Sequence, residues 1–128
     1  MLGEWISLIP LVRDHFGRLH VEVLGVSETN HGPNSLVVSV HPYRYHVNLR
    51  ISNGNLPPVG IRQMRLSVDG VDYEWVRDNF QAIQTGEVRE TCVIFPSNKP
   101  VPSPQTYVLT ITDSRGRVQK ISGVADAP

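Results

Sequence analysis

Cysteine is nearly absent. Cys92 stands alone in 128 residues, which excludes an intrachain disulfide and the small scaffolds that depend on several. An excess of charge of either sign is also missing, because twelve basic and twelve acidic side chains cancel. A neutral chain has no general attraction to nucleic acid or anionic lipid, so nucleic acid is not the expected partner. Lysine is scarce, with ten of the twelve cations being arginine. No long apolar run occurs. The longest, Ile6 to Val12, is broken by Ser7 and Pro10 and falls well short of the ~20 residues of a spanning helix. Glu4 stands where a secretory signal carries lysine or arginine, so the expectation is a soluble cytoplasmic protein with no membrane attachment. Glycine-rich phosphate loops, a Gly-x-Ser-x-Gly elbow and an HExxH pair are all lacking.

What the chain does have is valine, 18 residues of it, within a composition that is 40% hydrophobic and 19% charged. That balance is too apolar for disorder, and β-branched residues favour a pleated, half-buried surface. The length suits one domain with a core of its own. Ten prolines and ten glycines supply turns without a low-complexity run.

Periodicity divides the chain into an N-terminal segment, 1–17, a body, 18–124, and a tail, 125–128, expected to be disordered. Trp5, Leu8, Ile9, Val12 and Phe16 recur at three- and four-residue spacing between Gly3 and Gly17, the period of one helix face. Pro10 interrupts that pattern. From Leu19 the period becomes two, giving a first strand to about Val26 and a short second one over Ser35 to Val40. The clearest strand has Tyr43, Tyr45, Val47, Leu49 and Ile51 on one face and Arg44, His46, Asn48, Arg50 and Ser52 on the other. Met64, Leu66 and Val68 alternate next. Asp69-Gly70 is a two-residue hairpin signal, so Val71 to Trp75 should fold back. Arg77 to Gly86 reads as a loop and Val88 to Phe95 as a strand. The closing stretch, from Tyr107 to Ser122 through a turn at Asp113 to Arg117, reads as a hairpin. Seven or eight short strands with regularly spaced turns predict an all-β antiparallel sandwich or barrel, here with a short helical segment in front.

The closing hairpin, with its Tyr-x-Leu-x-Ile run at Tyr107, Leu109 and Ile111 ahead of an acidic-glycine turn, resembles the last two strands of bacterial immunoglobulin-like and fibronectin type III-like domains. The likeness spans roughly Leu19 to Val124. It implies an immunoglobulin-like β-sandwich in which Tyr107 holds the place of the corner tyrosine, its hydroxyl bonded back to the loop. The chain departs from the antibody type in having no second cysteine and no tryptophan in the strand at Arg62 to Val68. The looser architecture implies no particular function.

Each candidate for chemistry has a plainer alternative. His20, His41 and His46 are the residues from which a metal site or a small β-sandwich enzyme would be built, yet their spacing matches no ligand pattern. Cys92, in the apolar context TCVIF, reads as a buried, unreactive core residue. Asp69 with Asp72, and Glu87 with Glu90, belong to exposed turns and strand edges, and Ser114 sits in a turn. Arg44, His46 and Arg50 share one face, which suggests a polyanion surface. Tyr43 and Tyr45 point the other way, so aromatic stacking platforms are missing, and acids on the next strand would balance the charge. The expectation is therefore a non-catalytic protein-interaction or assembly module with no cofactor and an unidentified protein partner. Its expected surfaces are Arg44, Arg50 and the stripe of Trp5, Leu8, Ile9, Val12 and Phe16, the stripe also offering a homodimer contact.

Overall fold

The computed structural model describes residues 17–31, 41–76 and 80–125. The helix expected from Trp5 to Phe16, the strand expected over Ser35 to Val40 and the last three residues of the tail lie outside the described residues. Within them the chain is all-β, with seven strands: β1 (His20–Asn30), β2 (Tyr43–Ser52), β3 (Ile61–Val68), β4 (Val71–Glu74), β5 (Val88–Ser97), β6 (Thr106–Asp113) and β7 (Val118–Val124). They form two antiparallel sheets, one ordered β1-β2-β5 and the other β4-β3-β6-β7. None of the described residues forms a helix long and apolar enough to cross a membrane.

The alternation read from the sequence sets the two faces. Tyr45, Val47, Leu49 and Ile51 from β2 and Val93 and Phe95 from β5 meet Ile61, Met64, Leu66 and Val68 from β3 and Leu109 and Ile111 from β6 in one core. Two apolar sheet faces cover each other in this way because neither can face water. Leu19, Val59, Ile83 and Val101 close the ends from the loops. The closing hairpin pairs as expected, with Leu109 opposite Ile121 and Ile111 opposite Gln119. Tyr107 is half-buried. Its ring lies over Gly123, directly opposite on the edge strand, and a side chain added at that glycine would run into the ring.

The first strand is longer than the alternation suggests. A bulge at Leu24 shifts the register between Val23 and Gly25, so Val21 and Val23 face inward and Val26 resumes that face one residue late. This hides the last turn-like residues of the strand from a period of two. The strand then runs to Asn30, whose side chain pairs with the loop before β6 at both Val101 N (2.8 Å) and Val101 O (2.8 Å). Tyr45, fully buried, donates its hydroxyl to Pro102 O at 2.6 Å and fixes the same loop. Asp69-Gly70 forms the expected hairpin turn, with φ of 49° and 86°. Positive φ at both positions matches the twist of the flanking strands.

Two buried polar side chains organise the loops. Asn53 follows β2 and is almost wholly buried. Its Nδ2 donates to Leu56 O, Pro57 O and Ile83 O, and its Oδ1 accepts from Leu56 N at 3.0 Å. Asp113 ends β6, where its carboxylate accepts the backbone N–H groups of Arg115 and Arg117 and the Arg115 guanidinium at 2.8 Å. Arg115 also donates to Gly17 O, so this turn anchors the start of the described chain.

Candidate functional site

The outer face of the three-stranded sheet brings together most of the side chains with chemistry. Strand pairing lays them out in rows across β1, β2 and β5: Thr29 and Arg44, then Ser27, His46 and Ile94, then Gly25, Asn48 and Cys92, then Glu22, Arg50 and Glu90. In an antiparallel sheet directly opposed residues share a face, so the five alternations of β2 determine what stands beside its arginines.

Arg50 is braced from both sides. Its guanidinium lies 2.6 Å from Glu90 and 3.4 Å from Glu22. Hydrogen bonding and charge from Glu90, then Glu22, outweigh desolvation and raise its pKa. These acids are the balance expected from neighbouring strands, and exposed pairs of this kind hold geometry more than they add stability. Arg44 is engaged differently. Its Nε donates to His46 Nε2 at 3.0 Å and its Nη1 donates to His41 O.

Cys92 corrects the sequence reading. It is exposed, not buried. Val93 and Phe95 take the inward positions of β5, so Cys92 and Ile94 fall on the outer face. The sulfur lies 3.7 Å from His46 Nδ1, giving a Cys–His contact that the spacing of 46 residues does not reveal. Counting back in twos from Phe95 would have assigned Cys92 to the same face as Glu90.

A thiol becomes a nucleophile when a neighbouring base accepts its proton. Arg44 prevents that here. A guanidinium N–H only donates, so His46 Nε2 must carry the lone pair, and Thr29 Oγ1, 2.9 Å from the same nitrogen, adds to the demand on it. The ring proton is then on Nδ1 and faces the sulfur, where a catalytic base would need a lone pair. Burial, and then the Arg44 charge, push the His46 pKa below the ordinary imidazole range, which disfavours the doubly protonated ring. Although Cys92 is exposed, loss of water around its thiol raises its pKa, with Arg44 opposing in part. The pair is a neutral thiol beside a neutral imidazole.

A shallow groove of about 270 Å³ lies beside β5, lined by Cys92, Ile94, His41, Trp75 and Phe80 among others. Trp75 and Phe80 meet edge to face at 5.6 Å, and Arg89 stacks on Phe80 at 5.3 Å. The sequence reading assigned Phe80 to a loop, which is correct, but two aromatics flanking a short linker were the only sign that they would meet.

The three histidines do not converge. His20 lies opposite Ser52 and His46 opposite Ser27, six residues apart along β2 and therefore about 20 Å. His20 instead contacts Glu22 at 3.3 Å. Among the described residues no group of three or more His, Cys, Asp or Glu is placed to hold a metal ion. Tyr45 points into the core, as its parity requires, leaving no tyrosine from β2's inward row to stack on the arginine face. Trp5, Leu8, Ile9, Val12 and Phe16 lie outside the described residues. No known protein family matches the chain, and no curated protein matches it in sequence.

The thiol gives a direct check of this geometry. Cys92 is expected to react with a maleimide to one equivalent without denaturant. Its rate should climb steeply with pH and continue to rise above the ordinary thiol range, because only the thiolate attacks and burial holds the thiol protonated. Labelling that waits for denaturant would show the side chain to be inward.

Proposed function

We propose that the chain is a non-catalytic module of immunoglobulin-like, fibronectin type III-like architecture that works through contacts with other proteins. The architectural part is supported by strand order. β4 hydrogen-bonds β3, in the sheet with β6 and β7, whereas the antibody constant domain puts its fourth strand with the first, second and fifth. That exchange is the arrangement of fibronectin type III domains.

The functional part is carried by one observation: Arg50 is held in place at the outer face of β1-β2-β5 by Glu22 and Glu90, beside a Cys–His contact whose tautomer opposes catalysis. An arginine already ordered loses less side-chain entropy on binding than a free one, and arginine is enriched among residues that dominate protein interfaces. The single thiol suits a reducing compartment, and we place the module in the cytoplasm on that basis.

Affinity capture from source cells tests the reading. A discrete partner should bind saturably, lose at least about tenfold in affinity on Arg50→Glu, where one reversed charge meets two carboxylates and the partner, and ignore Cys92→Ser. Zinc, iron or copper at one equivalent in the purified protein would favour the metal-binding alternative instead. Oligonucleotide binding that falls steeply with salt would favour a polyanion surface.

A further inference from the structure

β7 ends the four-stranded sheet, and among the described residues no strand pairs with its outer edge. The other end strands are less open to an added strand. β1 is broken by the bulge at Leu24, β4 is four residues long, and Val76 N–H already donates to Ile94 O along the outer side of β5.

The ladder's hydrogen bonds show which groups of β7 are free. Asp113 N–H bonds Arg117 O at 2.9 Å at one end, and Ala125 N–H bonds Gln105 O at 2.9 Å at the other. Antiparallel bonding alternates, so the odd-numbered residues of β7 bond to β6. Val118, Lys120, Ser122 and Val124 therefore direct their N–H and C=O groups to the open edge. The same four side chains lie on the outer face, where Val118 is 50% and Val124 75% exposed. Lys120 is the only charge on the strand.

We propose that β7 pairs antiparallel with β7 of a second copy of this chain, about a two-fold axis at Ile121. Val118 then lies opposite the partner's Val124, and Lys120 opposite the partner's Ser122. Every outward-directed residue of both strands gains a hydrogen-bonded partner, and the two most exposed valines of the edge cover each other. The neighbouring registers are worse. Sliding one way sets Lys120 against the partner's Lys120, and sliding the other carries Val118 past Val124, the last residue of the partner's β7. The result is one continuous eight-stranded sheet across a symmetric interface. An edge of seven residues is small for a stable interface, so the dimer is weak and concentration-dependent. This pairing stands whether or not the opposite sheet takes a partner.

Sedimentation equilibrium of the full chain over a wide concentration range tests it. Ser122→Glu sets two glutamates against the partner's Lys120 and the symmetric lysine, and should tighten association roughly two- to thirtyfold, while Ser122→Lys should loosen it to a similar extent. In a Cys92→Ser background, mixing Val118→Cys with Val124→Cys chains should give a disulfide-linked dimer on mild oxidation, whereas Val118→Cys alone should not, its two sulfurs being about 20 Å apart in this register. All substituted positions are exposed, so the fold should tolerate them. Monomers at every concentration, crosslinking of Val118→Cys alone, or a dimer that forms only after deletion of residues 2–16 would each overturn the proposal.

Discussion

Replacing Asn53 by alanine should lower stability by about 2–3 kcal/mol, while the same change at Asn55 two residues on should fall within about 0.5. The difference lies in burial. Asn53 is 1% exposed, and Asn55 lies at the surface. The Asn53 side chain donates to three carbonyls and accepts one N–H, linking the loop after β2 to Ile83 in the loop before β5. Alanine leaves the Leu56 N–H without its acceptor and the carbonyls without a donor, in a place water enters poorly. Its backbone also holds the two loops together, through Asn53 N–H to Glu87 O and Gly86 N–H to Asn53 O, and those bonds survive the substitution. Denaturant unfolding of the two variants against the parent measures the effect. Equal, small losses at both positions would show that the network is not a structural hub.

Asp113 should have an effect of similar size, and one that depends on pH. Burial pushes its carboxyl pKa up, but the Arg115 side chain and the two turn N–H groups outweigh that, so the net shift is downward. A carboxyl depressed in the folded state stabilises above its unfolded pKa, about 3.9, and that contribution is lost as pH falls through the lower folded value. The parent should therefore lose stability progressively below about pH 4, from this group among others. Asp113→Asn keeps an acceptor for the turn but removes the charge. It should cost about 1–3 kcal/mol at neutral pH and flatten the acid slope. Asp113→Ala should cost more, because it also strands the N–H groups of Arg115 and Arg117. An Asn variant as stable as the parent at pH 7, with an unchanged acid limb, would contradict this assignment.

Where side-chain period and local turn chemistry decide the outcome, the sequence was legible. β2 declares itself by five alternations, the β3–β4 hairpin by Asp69-Gly70, and β6–β7 by its apolar row and acidic turn. The outward placement of Arg44 and Arg50 follows from the same parity. Three features were hidden because they depend on the strand next door. The bulge at Leu24 shifts β1 by one residue and makes its second half look like a loop. β5 carries apolar residues on both faces, so TCVIF gives no clear inner side until Phe95 is fixed in the core, and Cys92 was assigned inward. Asn53, in the stretch SNGN, has the composition of an ordinary turn, and nothing local marks it as buried. The Cys92–His46 contact joins residues on strands distant in sequence, and single-chain spacing carries no record of it.

The central claim is that the outer face of β1-β2-β5 meets another protein. A photo-crosslinking residue placed at Asn48, between Arg50 and His46 on that face, tests it most directly in source cells, with Thr110 on the outer face of the other sheet as the comparison. The account predicts a discrete crosslinked partner from position 48, absent from position 110 and abolished by Arg50→Glu. Identical patterns from both positions, or no crosslink from position 48, would contradict it.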